Sequence, residues 1–277
     1  MTRKLRWLVA VPLGCALAFL VAHALAPGAE ARNVVVRIGV ETAKSMALLG
    51  SVLAAQVFKR GDHLRRAWWF LAISSSFLLL RDVLLIPALH QLAPAAMPWI
   101  RAGLASLANV AGVLGTWLLA NAWSIAGVEL PGSRFSRRGL MALAAVLALA
   151  IAGPTTWLRV QEAGTGNARA VAMVISGLAD SAQLMLLAPV ILTAAALRGG
   201  LLAWIWGLYA ASQLAWLFYD ALDAYGELIL PGAPGLLSVA ESLRVLALLL
   251  TFSAGIAQRS VLLAARVAPP PAPPLSS

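Results

Sequence analysis

Charged side chains stand inside long apolar runs of this chain: Glu41 and Lys44, Arg81 and Asp82, Arg101, Asp180, Asp220, and Glu241 with Arg244. A charge in an apolar medium is costly, so such residues default to a functional role. Two kinds of chemistry are open to them. Brought together from several helices, they make a polar pocket for a ligand. Paired locally, they make structural ion pairs, with the longer side chains reaching toward the membrane surface. The spacing of Glu41 and Lys44, and of Glu241 and Arg244, is three residues, which puts each pair on one helix face where it can neutralise itself. Asp220 is the sharpest candidate, because an aspartate is too short to reach far. The set with binding potential is Glu41, Lys44, Asp82, Arg101, Asp180, Asp220, Glu241 and Arg244. Asn109, Asn121, Ser74 to Ser76, Ser181 and Gln183 read more simply as hydrogen-bonding contacts between helices.

Other chemistry finds little footing. The histidines are His23, His63 and His90, and their spacing gives no metal-ligand pattern. There is no Gly-x-Ser-x-Gly, no phosphate loop, no His-Glu-x-x-His and no Cys-x-x-Cys-His. Lysine is absent after Lys59, which removes a retinal Schiff base on the last helix. Cys15 is the single cysteine, so no internal disulfide forms. No catalytic residue, metal or cofactor is expected.

The elements that must hold these charges are membrane-spanning helices. Of 277 residues, 61% are hydrophobic and 12% charged, against roughly 25% charged in soluble domains. The apolar runs are continuous, unlike the alternation of a membrane β-barrel. At about 20 residues per span, they predict an all-α, polytopic bundle of about eight spans, near 6–26, 35–58, 67–88, 100–125, 139–158, 169–197, 201–222 and 235–257. Lys59, Arg60, Arg65, Arg66, Arg134, Arg137, Arg138, Arg198, Arg259 and Arg266 fall in alternate connections, and Arg3, Lys4 and Arg6 precede the first span. That side is the cytoplasm, so both termini lie there. The net charge of +10 thus reports topology rather than nucleic acid. Trp7, Trp68, Trp69, Trp99, Trp123 and Trp157, near span ends, read as an aromatic belt. Gly103, Ser106, Gly112 and Gly115 make one side of the fourth span small, and Pro189 is a candidate kink in the sixth. The tail from Ala268 is Pro-rich, hence extended or disordered.

Depth follows from the rise of about 1.5 Å per residue. Glu41 precedes Lys59, and Asp180 precedes Arg198, by 18 residues each, so both lie roughly 27 Å from the cytoplasmic edge. Asp82 and Arg244 reach similar depths. The charges form one layer in the outer third of the membrane.

The chain also repeats itself. Residues 45–84 align without gaps on 183–222, with 12 identities in 40, among them Arg60/Arg198, Gly61/Gly199, Trp68/Trp206, Ser74/Ser212 and Asp82/Asp220. This predicts a four-helix unit used twice in the same orientation, a 4+4 parallel repeat. The halves would be residues 1–138 and 139–258, with a cytoplasmic tail at 259–277. The first span has a second reading as a secretory signal peptide, with cleavage after Ala26 or Ala31 leaving seven spans. The repeat favours its retention.

The functional expectation is a multi-pass protein of a bacterial inner membrane that senses a small ligand from the outer side or docks another membrane protein. A small-solute transporter and a lipid-modifying enzyme are the alternatives. The partners are the bilayer and that ligand or protein, with no nucleic acid.

Overall fold

A computed structural model describes residues 2–83, 93–125, 127, 132–196, 201–228, 230 and 234–267. All regular structure among them is helical. Eight long helices follow one another: α1 (Thr2–Leu25), α2 (Gly28–Val57), α3 (His63–Val83), α4 (Met97–Ala120), α5 (Arg134–Ala163), α6 (Ala168–Ala196), α7 (Leu201–Leu228) and α8 (Pro234–Val267). One further turn, Ala122–Ile125, follows α4. His90, Arg198, Gly199 and the tail from Ala268 lie outside the described residues.

Six helices, α1, α2, α4, α5, α6 and α8, are long and apolar enough to cross a membrane. The other two carry more polar groups. α3 has Arg65, Arg66, three serines, Arg81 and Asp82, and α7 has Tyr209, Ser212, Gln213, Tyr219, Asp220 and Asp223. Helix ends follow local signals. Pro98 sits in the first turn of α4, where no backbone N–H is needed. Ser133 caps α5 by accepting the Ser136 N–H at 3.2 Å. Gly61 turns the chain between α2 and α3 at φ +88°, a conformation that favours glycine. α6 stays helical through Pro189.

Packing closes six helices into a ring. α2 lies on α3, α3 on α4, α4 on α6, α6 on α7, α7 on α8, and α8 returns to α2. α1 sits outside on α8 and α2, and α5 outside on α6 and α7. The α2–α8 seam is the tightest. A Cβ added at Gly255 would lie 2.3 Å from the Gly50 carbonyl oxygen, so the two backbones touch. Gly115 of α4 gives similar room to Leu71 of α3, and Gly112 faces Ser74 and Gln183. Gly103 has nothing within 4 Å, so only part of the small side of α4 serves packing.

Inside the ring, the end where the even-numbered helices finish is filled by an apolar core. Phe58, Trp68, Leu119, Leu187, Trp206, Leu250 and Ala254 belong to it. Trp68 is fully buried there. It is therefore a core residue and not part of an interfacial belt, because α3 turns that face toward α4 and the ring interior. Trp7, Trp69, Trp99 and Trp157 are exposed on the outer surface.

Candidate functional site

The opposite end of the ring is hollow. A cavity of about 500 Å³ is lined by residues of α2, α3, α4, α6, α7 and α8, and by none of α1 or α5. Its walls are helical stripes. On α7, Tyr209, Gln213, Trp216, Asp220 and Asp223 face it; on α6, Arg169, Met173, Ser176, Asp180 and Gln183 do. These spacings of three and four residues are one face of an α-helix. Leu71, Ser74, Leu78 and Arg81 continue the wall on α3, and Arg101, Ala105, Asn109 and Gly112 on α4.

The floor is a hydrogen-bonded layer. Thr116 Oγ1 and Tyr209 Oη are 2.6 Å apart, and the Thr116 hydroxyl also lies 3.4 Å from Gln183 Oε1. Beside it, the buried Ser212 hydroxyl donates to the Ala247 carbonyl at 2.7 Å and meets the Thr251 hydroxyl at 2.8 Å. Below this layer the apolar core begins.

The charged residues divide into two groups. The first is paired. Lys44, whose side chain is fully buried, donates to Glu41 at 2.8 Å and to the Asp82 carboxylate. Arg81 clasps the same Asp82, Nε to Oδ1 at 2.7 Å and Nη2 to Oδ2 at 3.1 Å. Arg244 pairs with Glu241 at 3.3 Å and lies over the Tyr219 ring, 5.3 Å from its centroid. At the mouth, Glu227 binds Arg159 and Arg169, and Arg159 also binds Glu162 at 2.8 Å. Each cluster balances its own charge.

The second group has no such balance. Among the described residues, Arg101, Asp180, Asp220 and Asp223 make no ion pair. The Arg101 Nε is buried with no hydrogen-bond partner, as are those of Arg159 and Arg244, but the latter two have carboxylates on their other nitrogens. The carboxyl groups of Asp180 and Asp220 lie against one another. Both border a second, smaller crevice between α5, α6 and α7, so the acid pair forms part of the wall between two spaces.

Of the eight sequence candidates, Arg101, Asp180, Asp220 and Arg244 line the cavity. Glu41, Lys44, Asp82 and Glu241 do not; they stand behind it and hold Arg81 and Arg244 in place. Arg169, Asp223, Trp216, Tyr219 and Gln213 line the cavity without having been singled out. Their signal was periodicity: Asp223 follows Asp220 by three residues, and Arg169 and Ser176 precede Asp180 on the same face. His23 donates to or accepts from Ser238 at 2.8 Å, and His63 donates to the Leu118 carbonyl at 2.7 Å, so both are structural. Among the described residues, no three His, Cys, Asp or Glu side chains cluster as metal ligands do.

Asp82 and Asp220, aligned by the shift of 138 residues, are used differently. Asp82 is held by Lys44 and Arg81. The residues 138 further on are Ala182 and Tyr219, so Asp220 lacks both cations and faces the cavity instead.

No family model, curated protein or solved structure matches the chain. Fold and site define a class nonetheless: among the described residues, a helical bundle with six helices of membrane-spanning length and composition, built around a charged central cavity.

Proposed function

We propose that this chain is a multi-pass inner-membrane protein that binds a small ligand from the outer side and acts as a sensing or partner-binding module. The observation that carries the reading is the cavity, charged at one end of the ring and stopped by an apolar plug at the other. In this reading all eight helices cross the bilayer, and α1 is retained. α3 and α7 are the least apolar because they present polar stripes to the cavity rather than to lipid. The plugged end carries Lys59, Arg60, Arg65, Arg66, Arg134, Arg137, Arg138, Arg259 and Arg266, so it faces the cytoplasm with both termini.

The ring supports the 4+4 repeat. Exchanging α2 with α6, α3 with α7 and α4 with α8 turns its list of neighbours into itself. Gly39 of α2 and Gly177 of α6, again 138 apart, each make room for a peripheral helix: Phe19 of α1 in one case, Thr156 of α5 in the other. A transporter is the second reading, favoured by that two-fold arrangement. It requires a polar path through the plug, where Trp68 and Trp206 now sit.

Side-selective labelling separates the two. Cys15 is exposed, so the background is Cys15→Ala. A Ser176→Cys thiol in the cavity wall is expected to react with a membrane-impermeant maleimide added outside intact cells and not with reagent confined to the cytoplasmic side. Reaction from both sides would favour transport. Reaction from the cytoplasmic side alone would invert the topology and end the proposal.

A further inference from the structure

We infer that the cavity takes a small zwitterion, its ammonium group held by Asp180 and Asp220 and its anionic group held by Arg101 at the mouth. The inference rests on the reading of the cavity as an outward-facing binding site and says what occupies it.

The argument starts from which charges are left over. The cluster of Glu41, Lys44, Arg81 and Asp82 sums to zero, as do Glu241 with Arg244, and Arg159, Glu162, Arg169 and Glu227. Arg81 and Arg244 therefore enter the cavity wall already neutralised. What remains is one guanidinium, Arg101, and the carboxyls of Asp180, Asp220 and Asp223. All four are half-buried; a charge partly withdrawn from water without a counterpart is costly, and a charge of opposite sign relieves it. A ligand of a single sign relieves one site only. A molecule carrying both signs relieves both.

Position gives the polarity and the length. Arg101 is four residues into α4 from Met97, about 6 Å below the start of the helix. Asp220 is eight residues from Leu228 at the end of α7, and Asp180 twelve from Ala168 at the start of α6, about 12 and 18 Å down. The anionic group thus lies at the mouth, near Arg169 as well, and the ammonium group roughly 6–12 Å deeper. Leu78, Ala105, Met173 and Trp216 line the space around and between them, which suits an apolar spacer. Tyr219 is occupied by Arg244, and the acid pair supplies the opposite charge that the ammonium needs.

The test uses the full chain with the Cys15→Ala and Ser176→Cys substitutions, and reads how much of each probe protects the thiol from an impermeant maleimide. The probes are 6-aminohexanoate, hexylamine and hexanoate, of matched length. 6-Aminohexanoate is expected to protect at a concentration about tenfold lower than either single-charge probe. Asp220→Asn should abolish its advantage over hexanoate, and Arg101→Gln its advantage over hexylamine. Asp180→Asn repeats the first comparison should Asp220→Asn fail to insert, and Arg101→Lys should restore part of the second. Equal protection by all three probes, protection by none, or loss of protection without this crossed pattern overturns the zwitterion while leaving an accessible cavity. A thiol that never reacts from outside overturns the outward-facing site, and the zwitterion with it.

Discussion

Two aspartates 138 positions apart show how surroundings assign a role to one residue type. Asp82 sits between Lys44 and Arg81 and is 10% exposed. Removing its charge leaves a fully buried ammonium short of a partner, and breaking such a pair costs ~3 kcal/mol or more. Asp220 makes no ion pair among the described residues, so Asp220→Asn has little pairing to lose. Thermal unfolding in detergent is expected to show a lower midpoint for Asp82→Asn by several degrees and a nearly unchanged one for Asp220→Asn. Equal losses would mean that Asp220 is as structural as its counterpart. The charges themselves were legible in the sequence as interruptions of apolar runs. Their partners were not. Glu41–Lys44 and Glu241–Arg244 follow from helical spacing, but Lys44–Asp82 joins residues on two helices, which only packing decides.

At the scale of elements, hydropathy located the helices and missed their lengths. α2 begins at Gly28, seven residues before the apolar run that marks it, through Glu30, Arg32 and Asn33. α8 continues to Val267, past Gln258 and Arg259. Hydropathy senses what needs lipid, whereas backbone hydrogen bonding carries a helix on into polar surroundings. Small residues were read as contact surfaces from composition, and the structure separates them by what they meet. A Cβ at Gly255 meets the carbonyl oxygen of Gly50, which no rotamer change can move. Gly255→Ala is expected to destabilise the protein by ~1–3 kcal/mol. Gly103→Ala, with nothing within 4 Å, should be neutral or gain up to ~1 kcal/mol from helix propensity. Chemical or thermal denaturation of the two variants side by side checks the contrast.

At the scale of the molecule, the ring of helices holds two seams of unlike construction, α2–α8 and α4–α6. At α2–α8, backbone meets backbone at Gly50 and Gly255, Arg266 reaches the Val57 carbonyl, and α1 lies across both helices with Phe19 against Gly39. At α4–α6, a Cβ added at Gly112 meets only the amide end of Gln183, no nearer than 3.8 Å, and α5 lies on α6 and α7 rather than over the seam. None of this was visible in a span count, because the order of helices around a ring depends on which faces fit and not on how apolar each one is. Spin labels across each seam, read by pulsed electron resonance with and without a ligand that protects the cavity thiol, are expected to report a distance change at α4–α6 and none at α2–α8.

In mechanical terms the bundle is a hoop with one welded joint and one sprung joint. Main chain pressed on main chain has no softer arrangement to move into, whereas a seam closed by the end of a side chain can give. If the cavity is a sensing site, as proposed, the α4–α6 flank is where its occupancy would show.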